Sequence, residues 1–451
     1  MRKLYADIAL TPDGWKSGVS IEISTDGRIA SVSVDVEFDS NADRVAILLP
    51  ALSNLHSHAF QRAIAGLTEV RGTGSDSFWT WRDAMYQFLP KLRPQNIEAI
   101  AAQLHVELLE SGFASIAEFH YLHHDTDGKS YTDPAELSGR IASAASQTGM
   151  GLTHLPVLYA ASDFGGMPAS DGQRRFLNTP DQLLRIRECT RAHLARPDDA
   201  IGLAFHSLRA VTPDMLAATL VACPGGPVHI HIAEQMREVE ACLAWSGARP
   251  VEWLLDHAEI DARWCLVHAT HMTEDETTAL ARSGAIAGLC PTTEADLGDG
   301  VFPGGTYRDT AGRWGVGTDS HVRTDAAEEL RLLEWSQRLA QQTRNVMAAP
   351  GQSTGRALFD AALSGGAQAL GRDSGQIKTG RWADLVALDA NHPILAGKSK
   401  DALLDSWIFS GGKDCVCDVW SAGRHVVKDG RHIDRESIAA TYRGTIAQLL
   451  A

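Results

Sequence analysis

Apolar segments of strand length alternate with longer helical patterns through most of this chain, and no other feature limits its possible folds so strongly. Such alternation is typical of βα units, in which parallel strands form a sheet that helices cover. Eight units over this length predict an α/β fold of the (β/α)8 TIM-like barrel type, with functional residues at the carboxyl ends of the strands. The eight apolar runs are 47–55, 113–119, 151–158, 201–205, 228–232, 264–267, 285–289 and 314–317.

The two ends of the chain show a different, shorter pattern. Residues 4–48 have the alternation of short strands, with turns at 12–14 and 26–27, and similar segments return after residue 379. We therefore predict that both ends form one small β-sandwich domain beside the barrel. The predicted domains are the first part of the sandwich at 1–48, the barrel at 49–372, and the second part of the sandwich with a terminal helix at 373–451.

The acidic charge balance limits the partners that this protein can bind. The 451 residues carry a formal net charge of -15, whereas a protein that binds nucleic acid or an anionic membrane needs a basic face. Residues 1–7 turn polar too early for a signal peptide, and no apolar stretch reaches membrane-spanning length. Seven scattered cysteines favour reduced thiols over disulfides. The sequence therefore predicts a cytoplasmic protein that binds neither nucleic acid nor membrane.

Histidine and acidic side chains follow several of the predicted strands. His56 and His58 lie two residues apart, so both side chains can point to one side of an extended strand where it ends. Alone, such a pair fits a metal site and two solvated loop histidines equally well. His231 and Asp319 follow the fifth and eighth runs, at the same end of the predicted barrel. Three imidazoles and one carboxylate suit Zn²⁺ with room for a water molecule, and Fe²⁺ or Mn²⁺ would fit the same donors.

Three of the strand-end residues are candidates for moving protons at such a site. Glu234 follows His231 by three residues, near enough to an activated water molecule to carry a proton without being a ligand. His268, after the sixth run, is suited to polarise the attacked centre, and Asp319 is suited to receive a proton. Their structural alternatives are helix-start carboxylates and a core histidine. The common placement at strand ends favours the catalytic interpretation.

Together, these features resemble the amidohydrolase superfamily. The resemblance covers nearly the whole chain and includes the barrel, the flanking β domain, the His-x-His pair, the His-x-Ala-Glu segment at 231–234, the lone His268 and the late Asp319. Segment 201–206 contains no lysine suited to bridge two metals, so the chain looks like the mononuclear zinc deaminase branch. The resemblance implies one zinc ion per subunit.

Within that superfamily, the chain is most similar to the formimidoylglutamate deiminase family. Segments 54–62, 77–86, 117–123, 205–211 and 317–321 resemble segments of that family in the same order. The resemblance implies hydrolysis of N-formimino-L-glutamate to N-formyl-L-glutamate and ammonia in histidine degradation, and a homodimer. It also implies five substrate-binding residues, which are Gln61, Arg82, Tyr121, His206 and Arg209.

The implied substrate is a small dicarboxylate, and the implied binding residues suit it. Arg82 and Arg209 are cationic donors for two carboxylates, although an arginine taken without context is more often part of a surface salt bridge. Tyr121 and Gln61 have packing or turn roles as their alternatives. Segment 71–92 contains glycines and aromatic residues that would permit closure over a ligand.

Two other functions remain open on the sequence alone. A deaminase of the same branch that acts on a guanine, adenosine-like or triazine ring would share the metal ligands, but a flat neutral ring gives no reason for two arginines. A zinc-stabilised barrel that only binds or assembles would share the fold. Against it, each candidate for proton transfer is present in this chain.

Overall fold

The computed structural model describes residues 1–74 and 76–451, which form two sheets and the helices around them. In chain order the strands are β1 (Arg2–Thr11), β2 (Gly14–Ile23), β3 (Ile29–Ser33), β4 (Asp43–Pro50), β5 (Leu52–Ser57), β6 (Phe113–His120), β7 (Gly151–Leu158), β8 (Ala200–Ile201), β9 (Leu203–Phe205), β10 (Val228–Ile232), β11 (Trp264–His268), β12 (Ile286–Leu289), β13 (Arg313–Val316), β14 (Leu385–Leu388), β15 (Val416–Ser421), β16 (Arg424–Lys428) and β17 (Arg431–His432). The α-helices are α1 (Phe78–Phe88), α2 (Pro94–Glu110), α3 (Glu136–Thr148), α4 (Pro180–Arg191), α5 (Pro213–Ala222), α6 (Met236–Ser246), α7 (Pro250–His257), α8 (Glu274–Ser283), α9 (Pro291–Leu297), α10 (Gly304–Asp309), α11 (Ala326–Gln341), α12 (Thr354–Ala369), α13 (Asp401–Ser410) and α14 (Arg435–Leu450).

The eight predicted βα units form a parallel barrel, which confirms the predicted fold class. Its strands follow the order β5-β6-β7-β9-β10-β11-β12-β13, and each neighbouring pair is parallel. A bridge between Ser57 and Asp319 joins the two ends of this row. There the Asp319 N–H donates to the His56 carbonyl at 3.0 Å, and the His58 N–H donates to the Asp319 carbonyl at 3.1 Å. The barrel is thus closed at the residues proposed as metal ligands.

Two of the predicted runs are each divided between two strands. Run 47–55 crosses from one sheet to the other, because β4 ends at Pro50 and β5 begins at Leu52. Both strands are buried there, so the apolar run gives no sign of the change. Run 201–205 is interrupted at Gly202, where an added Cβ would lie 2.4 Å from the Pro227 carbonyl oxygen. A glycine is required at this close approach.

The two ends of the chain come together in one β unit beside the barrel, as predicted, and its strands pair in a single eight-stranded sheet. Its order is β17-β16-β15-β14-β4-β1-β2-β3, and β4 joins the two halves because it pairs parallel with β1 and antiparallel with β14. Its core includes the fully buried Leu4, Leu48 and Trp420. The domain boundaries at 48/49 and 372/373 remain a proposal.

The barrel has its own, larger apolar core. The fully buried Phe113, Phe119, Phe205 and Trp264 belong to it. Within residues 1–74 and 76–451, no helix combines the length and the apolar character needed to cross a membrane.

Candidate metal centre and adjoining cavity

Five of the predicted site residues lie at the carboxyl ends of barrel strands. His56 lies at the end of β5 and His58 just beyond it, His231 lies near the end of β10, and His268 ends β11. Asp319 follows β13 by three residues. His268 and Asp319 have φ angles of +69° and +47°, a left-handed conformation that is uncommon outside glycine and clusters at functional sites.

The ring nitrogens of three histidines converge on one point. His56 Nε2 lies 3.1 Å from His58 Nε2 and 2.9 Å from His231 Nε2, and the latter two atoms are 3.3 Å apart. Asp319 Oδ1 is 3.5 Å from His56 Nε2 and 3.3 Å from His58 Nε2. Nitrogen ligands about 2.0–2.1 Å from a tetrahedral zinc ion lie about 3.3 Å from one another. These four buried side chains therefore have the donor types and the spacing of a metal site.

Hydrogen bonds on the far side of two rings determine which nitrogen faces the centre. His58 Nδ1 donates to the Phe119 carbonyl and His231 Nδ1 donates to the His206 carbonyl, each at 2.9 Å. A proton on Nδ1 leaves the Nε2 lone pair free for a metal. Burial, above other causes, lowers the pKa of His58 to about 3 and lowers the pKa of His231 well below the usual value. Both rings are neutral at neutral pH, the form that binds a metal.

Glu234 and His268 lie together beside the convergent nitrogens. His268 Nε2 is 3.9 Å from Glu234 Oε1 and 3.7 Å from Asp319 Oδ2. Burial raises the pKa of Glu234 to about 7. Burial also acts to lower the pKa of His268, but the carboxylates of Glu234, Glu294 and Asp319 outweigh it and raise that pKa to about 10. Near neutral pH, Glu234 can both accept and release a proton, whereas His268 is cationic.

Glu294 is a residue of this site that the sequence analysis missed. Its Oε1 lies 3.3 Å from His268 Nδ1 and accepts a hydrogen bond from the Cys290 N–H at 2.8 Å. Glu294 thus orients the His268 ring through the nitrogen that does not face Asp319. It follows the seventh predicted strand, so the strand-end rule that selected His268 would also have selected it.

A polar network behind the histidines joins the two strand ends that carry metal-site residues. Asn54 Oδ1 accepts the His56 N–H at 3.3 Å and the Thr318 N–H at 3.1 Å, and Asn54 Nδ2 donates to Thr318 Oγ1 at 2.6 Å. Ser57 Oγ donates to Glu118 Oε2 at 2.6 Å. The bonds of Asn54 hold the end of β5 against the segment that carries Asp319, and the bond of Ser57 holds it against β6. No sequence motif gives Asn54 this role, because its bonds connect segments far apart in sequence.

A cavity extends from the metal-site residues toward α1, and all five predicted substrate-binding residues line it. Gln61 Nε2 donates to the Tyr121 hydroxyl at 2.8 Å. The His206 ring lies edge-on to Tyr121, with 5.4 Å between ring centroids. The same wall includes Glu234 and His268, so the proton-transfer candidates and the predicted substrate-binding residues share one cavity.

Arg82 and Arg209 are cationic groups in the wall of this cavity. Arg82 lies on α1 and Arg209 lies in the turn after β9, so two separate elements bring them to one place. The Nε atoms of both side chains are buried without a hydrogen-bond partner among the described residues. Buried cationic donors without acceptors are costly in free energy. The cavity wall thus presents two cationic side chains.

Two family models match the chain. Residues 47–426 match the Amidohydrolase family, and residues 1–45 match the N-terminal domain of Formimidoylglutamate deiminase HutF. Together the two matches extend from the first strand to β16.

Known proteins resemble the chain over its whole length. A formimidoylglutamate deiminase from Pseudomonas aeruginosa is 52% identical and covers 100% of both chains. The crystal structure of an amidohydrolase from Brucella melitensis is 49% identical, has a TM-score of 0.96 and covers 100% of both chains. An adenosine deaminase from Xanthomonas campestris with bound zinc is 20% identical, with a TM-score of 0.80 over 99% of this chain and 98% of its own. That last likeness shows the fold alone.

Proposed function

The chain belongs to the amidohydrolase family, and we propose that it hydrolyses N-formimino-L-glutamate to N-formyl-L-glutamate and ammonia, the formimidoylglutamate deiminase reaction. The enzyme is a hydrolase that acts on a C–N bond of a linear amidine. The relative from P. aeruginosa, at 52% identity over the full length, supports this reaction over the deamination of a ring.

The observation that carries the proposal is a pair of arginines in the cavity wall that also includes His58 and His231, because the Nε atoms of both arginines are buried without acceptors among the described residues. N-formimino-L-glutamate has two carboxylates, and Arg82 and Arg209 supply two guanidinium groups. A neutral guanine, adenosine-like or triazine ring offers no anionic group to either guanidinium. The cavity therefore supports a dicarboxylate substrate.

We propose that the metal is zinc and that four residues hold it, namely His56, His58, His231 and Asp319. The 2.9–3.3 Å separations of the histidine nitrogens and their neutral form support this assignment. When bound, the metal supplies a Lewis acid that activates water for attack. Metal analysis of the purified protein is the direct test, because iron or manganese would fit the same donors.

The proton transfers are proposed for residues of the chain. Glu234 takes a proton from the attacking water while the water oxygen forms a bond to the formimino carbon, and it then gives that proton to the terminal nitrogen. Cationic His268 stabilises negative charge that develops at the attacked centre, and Asp319 receives the second water proton. That proton reaches the same nitrogen as the C–N bond breaks, so ammonia leaves and the formyl C=O forms.

The five cavity residues are proposed to bind the substrate. Arg82 and Arg209 hold its two carboxylates, and Gln61, Tyr121 and His206 add neutral hydrogen-bonding groups. Their contribution is to place the formimino carbon beside Glu234 and His268, since holding a reactant in the correct geometry lowers the barrier without any bond-breaking by the residues themselves.

The test is incubation of the purified protein with N-formimino-L-glutamate and analysis of the products. We expect ammonia and N-formyl-L-glutamate in equal amounts. Glutamate with formamide would show cleavage of the other C–N bond and would contradict the proposal. A Glu234→Gln variant should lose at least about 10²-fold in kcat and retain its metal. Full activity in this variant would exclude Glu234 as the proton carrier.

The setting of the enzyme is also proposed, on the basis of the composition and the family resemblance seen in the sequence. We expect a cytoplasmic homodimer that acts in histidine degradation. Light scattering of the purified protein measures its mass, and a mass of 48.6 kDa, that of one chain, would contradict the dimer. Closure of segment 71–92 remains a proposal, and Ser75 in that segment lies outside the described residues.

A further inference from the structure

One tryptophan of α1 contacts three arginines from different parts of the chain. The guanidinium carbon of Arg82 lies 4.5 Å from the centroid of the Trp79 ring, that of Arg209 lies 5.4 Å from it, and that of Arg237 lies 4.3 Å from it. Each distance is within the range of a cation–π interaction, for which the indole face is the strongest acceptor among protein side chains.

The two inner arginines need such a contact because few other groups hold them: Arg82 has the Tyr86 ring 5.4 Å away, and the charges of Glu238 and Glu234 act on Arg209. Arg82 and Arg209 carry like charges, line one cavity, and have Nε atoms buried without hydrogen-bond partners among the described residues. In the absence of a ligand, such groups repel one another and would adopt several rotamers. The indole offers both a negative face and a rigid surface.

Trp79 and Arg82 are placed by local structure. They are three residues apart on α1, so their side chains lie on one face of the helix. The Ser77 side chain caps this helix by accepting the Trp79 N–H at 3.3 Å, which fixes the backbone of Trp79. From a different helix, the exposed Arg237 in the first turn of α6 contacts the same indole. Arg237 thereby restrains the ring from α6, the helix that begins two residues after Glu234.

Trp79 differs from its aromatic neighbours in its relation to the cavity. Phe78 and Trp81 are among the residues that line the cavity, whereas Trp79 is not among them. Trp79 therefore acts on a ligand in the cavity through its neighbours, which are the arginines and Phe78, whose ring centroid lies 5.1 Å from that of Trp79.

We propose that Trp79 is a positioning residue that holds Arg82 and Arg209 in the arrangement that receives the two carboxylates of the substrate, with Arg237 restraining the indole from outside. This inference rests on the proposed function for the identity of the substrate. The indole acts on binding rather than on the chemical step, because it stabilises the two cations equally before and during the reaction.

The experiment compares Trp79→Leu, which removes the π face, with Trp79→Phe, which keeps a smaller one. For N-formimino-L-glutamate, we expect the Leu variant to raise KM about tenfold with kcat within about threefold of wild type, and the Phe variant to stay within about threefold in KM. The metal content of both variants should match that of wild type. Trp335→Leu is the matched control, because Trp335 on α11 also has an arginine stacked on it, Arg331 at 5.5 Å, but is 43% exposed at the surface.

Calorimetric binding of glutarate, a five-carbon dicarboxylate that carries no formimino group, separates this inference from the proposed function. We expect wild type and Trp335→Leu to bind glutarate with the same Kd and Trp79→Leu to bind it about tenfold more weakly. An unchanged KM and an unchanged glutarate Kd in Trp79→Leu would overturn the role of Trp79. A fall in kcat with KM unchanged would also overturn it. Failure of wild type to deaminate N-formimino-L-glutamate, with glutarate binding still dependent on Trp79, would reject the proposed function alone.

Discussion

Glu238 holds the backbone that carries Glu234. Its carboxylate oxygens accept the N–H groups of Ala233 and Glu234 at 3.1 and 3.2 Å, and its side chain is 1% exposed. Ala233 has a φ of +50°, a left-handed conformation that costs an alanine about 1–2 kcal/mol. Two hydrogen bonds to a carboxylate offset this cost. We infer that Glu238 keeps Glu234 directed at the cavity.

Removal of Glu238 should therefore impair catalysis without loss of the metal. For Glu238→Ala we expect kcat to fall about 10²-fold, the loss typical of a catalytic group displaced by about 1 Å. Metal analysis should give the same content as wild type, because no proposed ligand changes. Glu240→Ala on the exposed side of the same helix is the control and should leave kcat unchanged. Loss of metal from Glu238→Ala would show a role different from the one inferred.

Arg209 provides the test of the proposed carboxylate binding at the level of one side chain. Arg209→Leu should raise KM for N-formimino-L-glutamate about 10²-fold, because one carboxylate of the ligand would then lie buried without its cation. Arg209→Lys retains the charge but loses the forked guanidinium, so its KM should lie between those of wild type and the Leu variant. Steady-state kinetics of wild type, Arg209→Leu and Arg209→Lys measures the three KM values. Unchanged turnover by Arg209→Leu would favour a different binding residue or a different substrate.

The residues that sequence reasoning found share a simple property. His56, His58 and Asp319 carry chemically distinctive side chains at the ends of predicted strands, and the barrel brings strand ends together whatever their distance along the chain. Glu238 and Trp79 lack that signal. Glu238 acts through backbone N–H groups and Trp79 acts through the π face of its indole. Both effects depend on packing in the folded chain, which the spacing of residues along the sequence does not reveal.

At the scale of strands, Asn54 is the link between β5 and the segment after β13. Its Oδ1 accepts two backbone N–H groups, that of the proposed ligand His56 and that of Thr318, the residue before Asp319. The variant Asn54→Ala leaves both donors buried and unpaired, which should lower the free energy of unfolding by about 2–4 kcal/mol. It should also weaken metal retention, measured as the rate of metal loss to a chelator. Asn41→Ala at an exposed position is the control, and equal metal loss from both variants would contradict this role.

Strands were predictable where apolar runs were bounded by polar segments, and less so where two buried strands meet. Runs 113–119 and 151–158 agree with β6 and β7 to within one residue. Run 47–55 reads as one strand although the chain passes from one sheet to the other at Ala51, because the polarity of these residues does not change there. The change becomes visible only in the pairing, where the Ala51 N–H donates to the Asp384 carbonyl at 3.0 Å.

For the whole molecule, the joint between the barrel and the flanking sheet is a buried ion network that spacing did not suggest. Arg372, after α12, contacts Asp384 before β14 at 2.7 Å and Asp198 before β8 at 3.2 Å. Arg424 of β16 contacts Asp198 at 2.6 Å. The side chains of Asp198 and Asp384 are at most 1% exposed. The network therefore fixes the sheet on the barrel by charges that cannot be left unpaired without a large cost in free energy.

Arg372→Leu should destabilise the protein strongly, because it removes the cation beside the buried Asp384 and leaves Asp198 with Arg424 alone. We expect the free energy of unfolding to fall by about 3–5 kcal/mol, measured by denaturant titration. Arg381→Leu is the matched control: Arg381 pairs with Asp373 at 3.2 Å, but the two side chains are 38% and 65% exposed, so its loss should cost at most about 1 kcal/mol. Folded Arg372→Leu protein should retain the wild-type KM, since the network lies outside the cavity. Equal destabilisation by the two variants would show that the joint depends on the apolar contacts of the sheet rather than on this network.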